Sequence, residues 1–125
     1  MDPNYNYEFD QNNDLIKFCK IGPIKEISKL LIPEINPLAD LLIIENVLYK
    51  NRHGNTALHM AVIYKQPKVV KILIDFMREN KLFLYEKNNY YMDAYDLAYK
   101  HIRMSPGHDD AAGSEMVKIF KNNPK

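Results

Sequence analysis

The chain reads as an all-α protein, a stack of short helix–turn–helix units, and three observations lead to that class. Gly54-Asn55-Thr56 opens an apolar run, Ala57-Leu58-His59-Met60-Ala61-Val62, and a second run follows at Lys68-Val69-Val70-Lys71-Ile72-Leu73-Ile74. Both runs place their apolar residues at helical spacing. The same pattern returns when the sequence is shifted back by 43 residues and forward by 37. With 125 residues the chain makes one domain, and about three units are what a stack requires, because one unit cannot bury its apolar face alone.

The first unit spans roughly residues 13–50. The shift of 43 lays Leu15 on Leu58, Phe18 on Ala61 and Cys19 on Val62, then Ile27, Leu30 and Leu31 on Val70, Leu73 and Ile74. Gly22-Pro23 stands where the second helix should begin. The connection to the next unit, around Pro33 to Arg52, carries Leu38, Leu41, Leu42, Ile43, Ile44, Val47 and Leu48. So many apolar residues predict an extra helical turn packed on the stack rather than a mobile loop.

The middle unit spans 51–87. Gly54 supplies a backbone conformation that only glycine adopts freely, and Thr56 stands at the helix N-cap, where its hydroxyl accepts an early helical N–H. Val69, Val70, Leu73 and Ile74 form one broad stripe on the second helix. The last unit spans 88–121. Asp93-Ala94-Tyr95-Asp96-Leu97-Ala98 falls on Thr56 to Ala61, with Asp93 as the cap. Its second helix, Glu115 to Phe120, is displaced by 47, so ten extra residues lie between the two helices, among them the breaker-rich Ser105-Pro106-Gly107-His108-Asp109-Asp110. Tyr91 falls on Gly54, which leaves the turn geometry there open. Residues 1–12 read as a polar N-terminal segment and 122–125 as a C-terminal tail.

The pattern G-x-T-A-L-H-x-A-V followed by V-V-K-x-L-I resembles the ankyrin repeat, and the resemblance extends over about residues 13–121 with degenerate terminal units and lengthened fingers between them. It implies a solenoid of about three β-turn-plus-two-helix repeats. It also implies that His59 ties one repeat to its neighbour through the turn, and that Cys19 occupies a buried, small apolar position. Proteins of this family mostly bind other proteins without catalysis, on a concave face made by turn tips and the exposed side of each first helix. Carried over position by position, that face holds Arg52, His53, Asn55, Ile63 and Tyr64, then Asn89, Tyr90, Met92, Lys100 and His101. Tyr, Met and Arg are the residue types enriched in interfaces. Against this stands packing: Ile63 under a neighbouring finger, and Tyr90 in the space left by the missing glycine. Asn55 to Val62, with Gln66-Pro67, is also similar to repeats of the Rel-factor inhibitor (IκB-like) group, which includes truncated viral mimics. The implied function is a protein that binds and blocks or sequesters a partner, such as a host signalling or transcription factor. The alternative is a structural or assembly subunit of a permanent complex, which the apolar first finger favours.

No chemistry competes with that reading. His53, His59, His101 and His108 show no zinc spacing, Gly22, Gly54, Gly107 and Gly113 form no phosphate-cradling loop, and no Ser sits in a G-x-S-x-G context. No enzyme, cofactor or metal is expected, and a polar loop accounts better for His108-Asp109-Asp110 than a cation site. Formal net charge is +1, which points to neither nucleic acid nor membrane. It divides into −3 over residues 1–50 and +3 over 51–100. Lys65, Lys68 and Lys71 read as a solvated helix face. One cysteine fits a reducing compartment, and no signal peptide or membrane-length apolar run appears. The expected location is the cytoplasm, with the nucleus open, and the host cell if the AT-rich codon bias behind the many Lys, Asn, Ile and Tyr residues reflects a virus or pathogen. A monomer or a hetero-complex is expected.

Overall fold

The computed structural model describes residues 15, 19, 24–31, 37–104 and 110–123. Its helices are α1 (Ile24–Leu31), α2 (Pro37–Leu48), α3 (Ala57–Ile63), α4 (Pro67–Glu79), α5 (Ala94–Met104) and α6 (Ala111–Lys121), with no strand among the described residues. Leu15 and Cys19 are also helical, one turn apart and buried. Helix α3 packs on α4 and α5 on α6, which makes two hairpins. Across hairpins, α3 packs on α5, while α1, α4 and α6 stack in a second row. The protein is thus the all-α repeat stack that its sequence predicts.

The middle repeat forms where local signals agree with burial. Thr56, extended at φ −91° and ψ 178°, caps α3. Pro67 opens α4 at a position where its missing N–H costs nothing. Val69, Val70, Leu73, Ile74 and Met77 line the buried face of α4. Helix α3 has no exposed face over Ala57 to Val62, all of which are buried. Both helices close in the same way. The Lys65 N–H donates to Val62 O and the Gln66 N–H to Ala61 O, each at 3.0 Å or less; Lys81 and Leu82 repeat the pattern on Arg78 O and Met77 O. That closure puts the intervening residue in the left-handed region, usually glycine's place. Here lysines hold it, Lys65 at φ 54° and Lys81 at φ 55°.

Three expectations need correction or sharpening. The first finger is not one extra turn but a helix of 12 residues, α2, which packs on α3 through buried Val47 and half-buried Ile43. Its lower end flanks a hollow of about 270 Å³ lined by Val47, Leu48, Met77, Phe83 and Leu84. The ten extra residues of the last repeat are not all loop. Against the middle repeat, α5 runs four residues further and α6 starts three earlier. Asn122 and Asn123, expected in a tail, close α6: their N–H groups donate to Lys118 O and Phe120 O, and Tyr85 Oη donates to Asn123 O. Phe18, Gly22, Pro23, Pro33, the segment 1–12 and Ser105 to Asp109 lie outside the described residues, as do the side chains of Leu30, Leu38, Leu41 and Leu42.

Candidate docking surface at the turn tips

Two consecutive turns have one hydrogen-bond pattern. In the first, Asn51 Oδ1 accepts the N–H of His53 and of Asn55, both at 3.0 Å, while Asn51 N–H donates to Asn55 O and Gly54 N–H to Asn51 O. In the second, 37 residues later, Asn88 Oδ1 accepts from Tyr90 and Met92, Asn88 N–H donates to Met92 O, and Tyr91 N–H to Asn88 O. An asparagine amide can satisfy two backbone donors at once, which is why it suits the first position of such a turn. Gly54 sits at φ 76° and Tyr91 at φ 60°. The missing glycine therefore does not abolish the turn; Tyr91 adopts the left-handed conformation with its side chain 82% exposed.

The turns bind each other edge to edge. Asn89 N–H donates to His53 O and Asn89 Nδ2 to Arg52 O, each at 3.0 Å. A Cβ on Gly54 would lie 2.7 Å from the Asn89 backbone nitrogen, so glycine is required twice, for its φ and for this approach. Asn88 Nδ2 donates to Asn55 Oδ1 at 2.9 Å. His53 and Tyr90 meet at the tips, with Nδ1 and Oη 3.0 Å apart and the rings stacked at 6.1 Å.

Beneath the turns lies His59, 1% exposed. Its Nδ1 lies 3.1 Å from the Thr56 nitrogen and 3.0 Å from Thr56 Oγ1, and its Nε2 is 3.0 Å from Met92 O of the next turn. A carbonyl only accepts, so Nε2 carries the proton and Nδ1 accepts from the Thr56 N–H and hydroxyl. The ring is neutral. Burial lowers its pKa below the usual value, outweighing the Met92 carbonyl and the Asp93 charge, which pull the other way. Thr56 and His59 thus form a capping box with an imidazole in the usual carboxylate position. The last repeat builds its box from acids: Asp96 N–H donates to Asp93 Oδ1, and Asp93 N–H to Asp96 Oδ2.

The predicted face divides accordingly. Arg52, Tyr64, Asn89, Tyr90 and Lys100 are exposed. Asn55 is 7% exposed and spent on Asn88, so it is removed from the surface: its amide bridges two turns. Ile63 is half-buried against the core. Met92 is half-buried and contributes its backbone, and His101 Nε2 reaches Val62 O at 2.8 Å, tying the extended end of α5 to α3. Sequence reasoning missed Tyr91 and Met104, the latter 74% exposed. Tyr91 was readable as a tip residue once Gly54 was; Met104 depends on the extension of α5.

Other candidates resolve into structure. Asp110 caps α6 through Gly113 N–H at 2.9 Å and pairs with Lys65 at 2.8 Å, and Lys71 pairs with Asp75, so two of the three strip lysines serve ion pairs. Among the described residues no cluster of His, Cys, Asp or Glu suits a metal. Burial pushes the Cys19 thiol up to about 12, which fits its place in the core. No described helix is long and apolar enough to cross a membrane.

Stacked helical hairpins joined by turns that bond to one another define a helical repeat protein. The ankyrin-repeat family model matches residues 53–80, within the middle repeat, and supports an ankyrin-repeat family for the chain. No curated protein and no solved structure matches it.

Proposed function

We propose that the chain is a non-enzymatic module that binds a protein partner through the turn tips and the exposed side of α5, and thereby blocks or sequesters it. The observation that carries this reading is the exposure of Tyr90 and Tyr91 beside Arg52, on turns tied to each other by hydrogen bonds, with Tyr64 exposed at the C-terminal end of α3. Rigid aromatic anchors lose little conformational entropy on binding, which favours them as interface centres. The likeness of Asn55 to Val62 to IκB-like repeats supports inhibition of a Rel-type factor, in cytoplasm or nucleus, as the specific form. Capture from a host lysate, read by mass spectrometry, tests the proposal against a folded Arg52→Ala, Tyr64→Ala, Tyr90→Ala control. A partner lost with the control supports this face; partners retained by both place the site elsewhere.

A subunit role in a permanent complex is the second reading. Leu48 and Phe83, 44% and 62% exposed beside the hollow under α2, favour it. Sedimentation of the purified chain separates the two: a stable monomer favours the inhibitor, self-association the subunit.

A further inference from the structure

Among the described residues, the exposed charges at the turn tips and on α5 are of one sign. From Asn51 to Ile74 the sequence holds no Asp or Glu, and Arg52 is exposed at the first tip. From Lys87 to Met104 the carboxylates are Asp93, fully buried, and Asp96, half-buried and accepting the Asp93 N–H. The exposed charges of that stretch are Lys87, Lys100 and Arg103. Glu86, just outside it, is held by Lys50 at 2.8 Å. Among the described residues, Asp75 and Glu79 belong to the second row of helices, on α4.

Apolar area is interleaved with those cations. Tyr64, Tyr90, Tyr91 and Met104 are exposed, and Leu97, Lys100 and Met104 recur at i, i+3 and i+7, which puts them on one stripe of α5. One-sign charge raises the local potential and selects a partner of opposite sign, while exposed apolar side chains need cover. We infer that this surface takes an acidic segment of a partner protein, one that carries apolar or aromatic side chains among its carboxylates. The inference rests on the reading of the turn tips and α5 as a protein-docking surface and names the chemistry of what docks. Nucleic acid would meet the same cations, but its affinity scales with the number of phosphates neutralised. Four cations on a chain whose first 50 residues are net acidic make a poor phosphate track.

Selection from a random displayed peptide library against the purified chain tests the inference. The wild type should enrich peptides rich in Asp and Glu with interspersed Leu, Phe or Tyr. A variant carrying Arg52→Glu, Lys100→Glu and Arg103→Glu, shown by its circular dichroism melt to be folded, should lose that excess. It should also bind a wild-type-selected acidic peptide roughly tenfold or more weakly. No enrichment, a pool without acidic excess, a pool unchanged by the reversals, or displacement of the peptide by oligothymidylate overturns the inference. A folded Tyr64→Ala, Tyr90→Ala variant separates the two claims. A pool that depends on the tyrosines but not on the cations leaves the docking surface standing with its charge class wrong. Indifference to both sets removes the docking surface as well.

Discussion

Gly54, Tyr91 and His59 show how much rests on single residues. Gly54→Ala would place a Cβ in a left-handed residue and against the Asn89 backbone, so the variant should lose about 2 kcal/mol or more in a urea titration. Tyr91 is the opposite case. It occupies the same conformation with an almost free side chain, and Tyr91→Gly should gain about 0.5–1 kcal/mol, because the left-handed strain outweighs glycine's greater unfolded-state entropy. His59 makes stability depend on pH. Its folded pKa lies below the unfolded value near 6.5, so the unfolded chain takes up the proton first as pH falls. The stabilisation is full above about pH 6.5 and declines as pH falls from there toward the folded pKa. Urea midpoints measured across that window should fall in the wild type. His59→Leu should be less stable at neutral pH by about 1–3 kcal/mol, because the Thr56 N–H loses its acceptor, and its midpoint should decline less.

Among the elements, α6 depends most on a residue whose part is not visible in its own segment. Asp110 caps α6 and at the same time holds Lys65, the left-handed residue that closes α3. Asp110→Ala should cost about 1–2 kcal/mol through the cap alone. Lys65→Ala, which removes an ion pair whose lysine is half in water, should cost less than about 1 kcal/mol. Thermal melts of the two variants check the order. Helix α2 makes a different point. Its apolar content announced packing against the stack, yet a helix of three turns rather than one appears, because Pro37 can open a helix and no breaker follows before Leu48.

For the whole molecule, the repeats differ in what they offer forward. His59 donates across to Met92 O of the next turn, whereas Asp96, at the corresponding place, accepts the Asp93 N–H and closes a box with Asp93 instead. The bonds of His59 and Asn89 therefore join those of Asn88 to Asn55 and His101 to Val62 O in coupling the middle and last repeats. Nearest-neighbour terms of this kind set the cooperativity of a repeat stack. In His59→Leu, amide exchange should quicken in α5 and α6 more than in α4, and equal acceleration throughout would show that the coupling lies elsewhere.

The local chemistry of the middle repeat was legible in the sequence. Glycine, threonine cap, histidine and apolar stripe each satisfy a requirement set within a few residues, and each was found where predicted. So was the Asp93 cap. The candidate surface was legible only in part. Arg52, Tyr64, Asn89, Tyr90 and Lys100 are exposed as predicted, but Asn55 turned inward because Asn88, 33 residues away, takes its amide. Met104 emerged because α5 continues past the length of α3, and His101 became a tie because that continuation brings it to Val62 O. A local pattern specifies what a residue can bond; only the stacked repeats determine which partner reaches it first and which side chains are left facing water.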